Sequence, residues 1–182
     1  MSMEPDDETL VREFLEGDGK AFGVLLARHE RTVFNVALRM VGNRDDARDV
    51  TQSVFLKVYQ NLGRFDPRFQ FRTWIGRIAI NESFNVVNHR KDGEPIDEHW
   101  PSTDRDPGEV ARSGDVSRAV GQALGSLKPD YRAVVILRHY LDCSYRDMAS
   151  MLEIPEKTVK SRLFTARQLL RDALAGRGVL ES

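Results

Sequence analysis

The segment from Pro155 to Arg171 concentrates basic, hydroxyl and aromatic side chains on one face of a helix. It carries five basic residues and one acidic residue. At 100° per residue, its polar face holds cations that suit phosphates, hydroxyls that suit base edges, and a ring that suits a thymine methyl. A solvated amphipathic helix with a basic excess would look similar, but it would gain nothing from a central Phe164. The pattern therefore favours DNA binding by a face comprising Lys157, Lys160, Ser161, Phe164, Thr165, Gln168 and Arg171.

A short helix and a tight turn precede this segment with the spacing of a helix-turn-helix. The segment Tyr145–Leu152 has a small residue, Ala149, at its middle, which lets the second helix cross closely. Many such motifs have Gly where Glu153 stands, so the turn departs from the simplest pattern. Arg162 lies to the side of the polar face, which leaves open a phosphate contact or an internal ion pair.

A second basic block, residues 71–91, interleaves cations with aromatic rings. Rings that stack on bases and cations that follow phosphates suit unpaired DNA. The loop Asp66–Gln70 lies directly before the block and carries Phe69, for which a base contact and simple exposure remain equally open. The spacing of Trp74 with its apolar neighbours instead favours a core position. The block contains Phe71, Arg72, Trp74, Arg77, Phe84, Arg90 and Lys91.

Helical periodicity accounts for almost every regular pattern that must position these groups. Asn43 with Asp46, Pro129, and Ser144 with Asp147 are expected helix starts. No hairpin signal and no repeat occurs. The sequence predicts an all-α fold of two small helical domains, the C-terminal one with a helix-turn-helix. Its helices are expected over about 24–41, 47–62, 74–84, 116–127, 129–141, 145–152 and 156–175.

The net charge of -1 is a sum of segments with opposite signs. Residues 1–19 carry -6, residues 20–91 carry +7, residues 92–115 carry -6, and residues 116–182 carry +4. A polyanion responds to local charge, because the Debye length is only about 8–10 Å. We expect a solvated acidic N-terminal extension (1–19), a first domain (20–91, beginning at about residue 10), a flexible acidic linker (92–115), a second domain (116–175) and a tail (176–182).

The predicted linker has one alternative, a long loop inside a single domain. The segment holds three Pro and three Gly residues and has no helical or strand period. Structureless loops of this length are uncommon in compact domains, which favours the linker.

Several chemistries find no support in the chain. The four His residues lack metal-ligand spacing, and Cys143 has no partner cysteine, so it is more typical of a small buried side chain than of a reactive thiol. There is no phosphate-binding loop or nucleophile motif. No apolar run approaches the roughly 20 residues of a membrane span. We expect a cytoplasmic, non-enzymatic protein with no cofactor, no metal and no membrane insertion.

Three stretches together resemble bacterial RNA polymerase sigma factors of the extracytoplasmic-function type. They are DVTQSVFLKVY (49–59), FRTWIGRIAINE (71–82) and TVKSRLFTARQLLR (158–171). The likeness covers about residues 10–91 and 116–175. It implies promoter-specific transcription initiation, with three partners: core RNA polymerase, through its β′ clamp helices and β flap; promoter DNA; and an anti-sigma factor. The linker would either thread near the polymerase active site or serve as a soluble tether.

The resemblance also implies roles for individual residues. Asp49, Gln52 and Ser53 would bind the β′ clamp helices, although Ser53 replaces the acidic residue usual in the family. The −10 non-template strand would be captured by Asp66, Arg68, Phe69 and Gln70 around a flipped base and by Asn81 and Asn85 at neighbouring bases. The −35 duplex would be read by Arg146, Lys157, Thr158, Lys160, Ser161, Phe164, Thr165 and Arg167, although Thr165 stands where the family often has Arg.

A stand-alone helix-turn-helix regulator is the competing hypothesis. Its N-terminal domain would serve dimerisation or ligand sensing, and the isolated protein would bind duplex DNA tightly. A sigma factor would instead need core polymerase before it supports transcription. A helical scaffold or an enzyme would need repeats or a clustered acid–base set, and the sequence has neither.

Overall fold

The computed structural model describes residues 5–90 and 110–177, with only the backbone for residues 110–116. Within these ranges the chain is all-α and contains no strand, which confirms the predicted fold class. None of these helices is both long and apolar enough to cross a membrane. The helices are α1 (Asp7–Leu15), α2 (Gly19–Val41), α3 (Arg44–Asn61), a 3₁₀ turn (Leu62–Arg64), α4 (Phe71–His89), α5 (Val110–Gly125), α6 (Pro129–His139), α7 (Tyr145–Leu152) and α8 (Glu156–Ala175).

The helix starts that the sequence predicts are present, with the expected hydrogen bonds. The side chain of Asn43 accepts a hydrogen bond from the Asp46 N–H at 2.8 Å and caps α3. Pro129 is the first residue of α6. At α7, Ser144 and Asp147 form a reciprocal capping box, with distances of 3.1 and 3.3 Å. These local signals fix where three of the connections between helices lie.

The acidic N-terminus differs from the predicted solvated extension, because residues 7–15 form helix α1. Leu10 and Val11 of this helix are buried against the bundle. Asp6 caps its first turn by accepting a hydrogen bond from the Thr9 N–H at 2.8 Å. Asp7 lies 2.7 Å from Arg28 Nη1 on α2. Asp6 and Asp7 therefore lie at the N-terminus of α1, where negative charge is favourable, while Leu10 and Val11 pack inward.

The predicted linker also ends earlier than expected, because α5 begins at Val110 rather than Val116. Pro107 and Gly108 are the last helix breakers before it in the sequence, and Gly114 inside the helix costs only about 1 kcal/mol. Residues 92–109 of the predicted linker and residues 178–182 of the predicted tail lie outside the described residues.

Two groups of helices, α1–α4 and α5–α8, build a single continuous apolar core. In the first group α2 packs against the other three helices, and its Leu25, Val36 and Met40 are at most 1% exposed. In the second group, Val134 of α6 and Leu163 of α8 are equally buried. The buried side chains of both groups belong to one cluster. The two groups therefore pack directly against each other.

Arg132 of α6 is the buried cation at the junction of the two groups. Only 3% of it is exposed. Its guanidinium donates to the carbonyls of Leu124 at 2.9 Å, Gly125 at 2.8 Å and Leu127 at 2.9 Å, and also to that of Met40 in the last turn of α2. Helix C-termini present unpaired carbonyls and partial negative charge, so the ends of α2 and α5 stabilise the buried cation. Burial, followed by the charge of Arg90, lowers the pKa of Arg132 to about 10, which leaves it charged at pH 7.

We predict that Arg132→Ala destabilises the fold by about 3 kcal/mol, because it leaves several buried carbonyls without a donor. Arg132→Lys should lower the free energy of unfolding by less, because the ammonium keeps the charge and some of the hydrogen bonds. It should still be less stable than the wild type, because an ammonium cannot donate to all four carbonyls at once. Urea denaturation followed by circular dichroism measures both. A loss below about 1 kcal/mol for the alanine variant would contradict the role of Arg132 at the junction.

Candidate nucleic-acid interface

Helices α7 and α8 form the predicted helix-turn-helix. The turn between them is closed by a hydrogen bond from the Ile154 N–H to the Ala149 carbonyl at 3.1 Å. Glu153 adopts the left-handed conformation, with φ 55° and ψ 40°. For an L-residue with a side chain this region costs about 1–2 kcal/mol, so the absence of Gly is a real strain in the turn. Val159 of α8 is fully buried and fixes the crossing of the two helices.

Helix α8 is divided into a buried face and an exposed face, as its sequence predicts. Val159, Leu163 and Ala166 are at most 1% exposed, whereas Phe164 is 64% exposed. A large apolar ring this open to solvent is uncommon unless it meets a partner. Of the predicted −35 residues, those on the exposed surface are Arg146, Lys157, Lys160, Ser161, Phe164 and Arg167, while Thr158 and Thr165 are half-buried.

Two contacts hold cations of this face in place. Lys160 Nζ lies 5.5 Å from the centre of the Tyr145 ring, and Arg167 Nη2 lies 3.4 Å from His139 Nε2. Burial, together with the charges of Arg167 and Arg138, lowers the pKa of His139. His139 is therefore neutral at pH 7 and can accept a hydrogen bond from Arg167. The arrangement orders the two cations without neutralising either of them.

The sequence leaves open a phosphate contact or an internal ion pair for Arg162. In the structure Arg162 forms the internal ion pair. Its Nη2 lies 3.3 Å from Asp130 Oδ2 on α6. The pair joins α8 to the start of α6 and draws Arg162 away from the exposed face.

The loop from Asp66 to Gln70 is a turn that is held by its own side chains. Asp66 accepts hydrogen bonds from the Arg68 backbone N–H and Nε, both at 3.0 Å, and its carbonyl accepts one from the Phe69 N–H at 3.0 Å. Phe69 is 56% exposed. The loop is anchored by a ring cluster in which Phe65 lies 5.3 Å from Phe71 and 5.5 Å from Trp74, ring centre to ring centre. Trp74 is half-buried and packs against the core from its edge, so the core position that its spacing predicts is only partly realised.

The predicted base readers Asn81 and Asn85 are both exposed, one turn apart on α4. The side-chain amide of Asn85 donates to Glu82 Oε1 at 3.3 Å, and Glu82 also pairs with Lys57 of α3. Asn81 lies ten residues after the start of α4, about 15 Å along the helix axis. The two amides are therefore well separated from the loop along α4.

Three arginines that the sequence suggests for unpaired DNA contact protein groups instead. Arg72 Nη2 donates to the Tyr140 carbonyl at 2.8 Å, and Arg77 Nη2 lies 3.0 Å from Glu153 Oε1. Arg90 donates to the Val41 carbonyl at 2.7 Å and pairs with Asp46. Composition could not reveal these partners, because each is far away in the sequence.

The polar face of α3 carries the predicted polymerase-binding residues, with Asp49 and Gln52 exposed and Ser53 half-buried. Two apolar residues continue the same stripe: Leu56 is 59% exposed and Tyr59 is 55% exposed. By its helical spacing Tyr59 continues the apolar stripe of Val54, Phe55 and Val58, but unlike these residues it is not buried. Leu56 could have been found from the sequence, because it lies four residues after Gln52 and therefore on the polar side of α3, away from the buried apolar residues.

Tyr59 lies at the edge of a small aromatic cluster rather than inside the core. Its ring contacts Phe14 of α1 and Phe22 of α2 edge-on, with centres 5.3 and 5.2 Å apart. The ring therefore stays accessible from one side, which is what a contact surface requires.

The sequence matches two family models in the order that this geometry suggests. Residues 25–92 match Sigma-70 region 2, and residues 117–170 match Sigma-70, region 4. The chain is also 30% identical over 187 residues to the ECF RNA polymerase sigma-E factor of Haemophilus influenzae, which covers 96% of this chain and 98% of the relative. The chain belongs to the sigma-70 family, in its extracytoplasmic-function group. It is a sigma factor, which directs promoter-specific transcription initiation.

Two solved structures share this fold. The structure of CnrH in complex with the cytosolic domain of CnrY matches with a TM-score of 0.68 and 25% identity, over 93% of this chain and 97% of that one. The sigma factor RpoE of Bartonella quintana, solved with the anti-sigma factor NepR, matches with a TM-score of 0.70 and 24% identity, over 86% of this chain and 98% of that one.

The hydrogen bonds in the loop from Asp66 to Gln70 predict that the stability of this loop depends on pH. Hydrogen bonds from the Arg68 side chain and backbone hold the pKa of Asp66 below its usual 3.8. A depressed pKa means that the loop is stabilised above pH 3.8 and loses this contribution as the pH falls through the folded-state value. In Arg68→Ala the pKa of Asp66 should rise, but only partly, because the backbone N–H remains. A carboxyl-carbon NMR titration measures this, and an unchanged pKa in the variant would contradict the pairing.

Proposed function

We propose that the exposed face of α8 reads the −35 element as duplex DNA. The observation that carries this proposal is the exposed Phe164, which is flanked by Lys160 and Ser161 and opposed by a fully buried face. A recognition helix needs a rigid backbone and free base-reading side chains, and α8 offers both. Lys157, Arg146 and Arg167 lie around this face as phosphate contacts.

The N-terminal group of helices would capture the melted −10 non-template strand. The loop with Phe69 is ordered before DNA arrives, so a flipped base would meet a formed surface. Asn81 and Asn85 would then hydrogen-bond to neighbouring bases. This role assigns residues 20–91 to core polymerase and −10 binding and residues 116–175 to −35 binding.

The exposed stripe of α3 would bind the β′ clamp helices of core RNA polymerase. Asp49 and Gln52 supply polar contacts, and Leu56 and Tyr59 supply exposed apolar area that a partner can bury. The C-terminal group would meet the β flap, and all of this would take place in the cytoplasm with the polymerase. Because a solved relative was captured with an anti-sigma factor, we include such a regulator among the partners.

Run-off transcription with core polymerase on a promoter library tests this function. We expect initiation at a defined subset of promoters only when the protein is added. The competing regulator hypothesis predicts tight duplex binding by the protein alone and no stimulation of core enzyme. Absence of stimulation at every promoter would overturn the proposal.

We predict that Lys160→Ala weakens −35 duplex binding by holoenzyme and lowers the slope of log K against log salt by about one unit. The physical reason is the loss of a cation on the DNA-facing surface. Arg177→Ala is the matched control, because it removes the same charge from an exposed position beyond the end of α8. Equal salt slopes for the two variants would remove Lys160 from the interface.

We predict that Asn81→Ala impairs promoter opening while it leaves −35 duplex binding unchanged, because its amide is proposed to meet only melted bases. Permanganate reactivity of unpaired thymines reports opening, and a filter-binding assay reports duplex affinity. Gln60→Ala, which removes an exposed amide from α3, is the control. Full opening by the Asn81 variant would contradict the assignment.

A further inference from the structure

Glu82 is a partly enclosed acid that precedes the proposed base reader Asn85 on α4. Residues three apart on a helix are neighbours, and these two are in contact, because the side-chain amide of Asn85 donates to Glu82 Oε1 at 3.3 Å. Only 13% of the Glu82 side chain is exposed, whereas Asn85 is exposed. An enclosed carboxylate therefore holds one end of an exposed amide.

Lys57 of α3 fixes the carboxylate of Glu82 in this position. Its ammonium pairs with the same oxygen, Glu82 Oε1, that accepts the hydrogen bond from Asn85. Because Lys57 and Glu82 belong to different helices, the pair holds the carboxylate between α3 and α4. A carboxylate that pairs with an ammonium is ionised, so it can accept hydrogen bonds but cannot donate one.

This acceptor-only partner decides which way the Asn85 amide faces. A side-chain amide has two donors on its nitrogen and an acceptor at its carbonyl oxygen. Beside the carboxylate of Glu82 the nitrogen must face the acid, since the carbonyl oxygen of the amide would be repelled by a carboxylate oxygen. The oxygen of Asn85 is therefore directed away from Glu82 and is left for a ligand on the exposed side.

A carbonyl oxygen in this orientation selects among unpaired bases by their donors. Adenine, cytosine and guanine each carry an exocyclic amine that can donate to it, whereas thymine has carbonyl oxygens in place of an amine. An amide in the reversed orientation would present its nitrogen and would favour the carbonyls of thymine instead. The orientation of the Asn85 amide thus separates the bases that carry an amine from thymine.

We propose that Glu82 determines base preference through Asn85: it orients the amide so that one base of the −10 strand is bound through its amine and thymine is disfavoured there. Glu82 is a positioning residue, because it contacts the amide rather than the base. The proposal rests on the proposed −10 role of Asn85. Lys57 holds the carboxylate but does not set the orientation, because the hydrogen bond from Asn85 needs only the acceptor.

Selection on pre-melted promoters measures this preference. Holoenzyme, assembled from the full chain and core polymerase, is mixed with heteroduplex promoters whose non-template strand is randomised across an open −10 region, and the bound strands are sequenced. Because the duplex is already open, the strength of base pairing does not affect the result. The quantity measured at each position is the ratio of bases with an amine to thymine. Asn85→Ala identifies the position that Asn85 reads, because the ratio changes there.

The test variant is Glu82→Gln, and the matched control is Lys57→Met. Both lose the ion pair between α3 and α4, but only Glu82→Gln loses the fixed orientation, because a Gln side chain can either donate to the Asn85 amide or accept from it. We expect the ratio at the Asn85 position to fall by about five-fold in Glu82→Gln, which corresponds to one neutral hydrogen bond. The ratio should stay unchanged in Lys57→Met, and the other −10 positions should be unaffected in both variants.

Exchange of the two groups provides a rescue. In Glu82→Gln with Asn85→Asp the amide and the carboxylate change places, and the net charge equals that of the wild type. The new carboxylate can only accept, so the new amide must donate to it, and an oxygen again faces the base. We expect the preference against thymine to return in this double variant.

The role of Glu82 and the proposed function fail by different results. An unchanged ratio in Glu82→Gln, an equal fall in Lys57→Met, or an exchange that does not restore the preference overturns the role of Glu82 alone, provided that Asn85→Ala changes the ratio at one position. If Asn85→Ala changes the ratio at no position, the −10 role of Asn85 is overturned, and the role of Glu82 with it. Absence of run-off transcription at every promoter overturns the proposed function itself.

Discussion

The buried guanidinium of Arg132 is the constraint on which the arrangement of helices depends. A buried cation is tolerated only when every donor finds an acceptor, and here the acceptors are carbonyls at the ends of α2 and α5. Those two helices must therefore end beside the start of α6. Arg90 caps the next carbonyl of α2 and pairs with Asp46, which ties α3 and α4 to the same point. The proximity of two cations is also why the charge of Arg90 contributes to the lowered pKa of Arg132.

This use of cations changes the meaning of the charge pattern. The segment 20–91 carries +7, but at least seven of its arginines contact carbonyls or carboxylates within the protein, namely Arg28, Arg39, Arg48, Arg68, Arg72, Arg77 and Arg90. The C-terminal segment carries only +4, yet Lys157 and Lys160 are exposed on one helix face. Net charge by segment therefore locates candidate nucleic-acid surfaces without ranking them. What a polyanion meets depends on how many cations already have partners, and partners are set by tertiary contacts.

Local signals predict the elements of this fold well, and long-range contacts account for what they miss. The caps at Asn43 and Ser144 act within three residues, so the sequence alone locates these helix starts. The burial of α1 depends on α2 and α3, whose surfaces are assembled only in the fold, and its acidic residues conceal it. Tyr59 fits an apolar stripe by spacing, but α1 and α2 contact only one side of its ring, which stays largely exposed. The two groups also pack directly at Gly76 of α4, where a β-carbon would lie 2.6 Å from Leu141 Cδ1, and this contact between residues far apart in the sequence has no local signature.

Helix α4 serves three different surfaces within 19 residues, and this limits how each can vary. Ile75 and Ala79 are fully buried in the core, Gly76 faces the second group, and Asn81 is exposed. Arg77 pairs with Glu153 of the helix-turn-helix turn, since Glu153 Oε1 lies 3.0 Å from Arg77 Nη2. A substitution on one face of α4 therefore acts on the core, on the contact between the two groups or on an exposed polar surface, and the short spacing between these residues ties the three together.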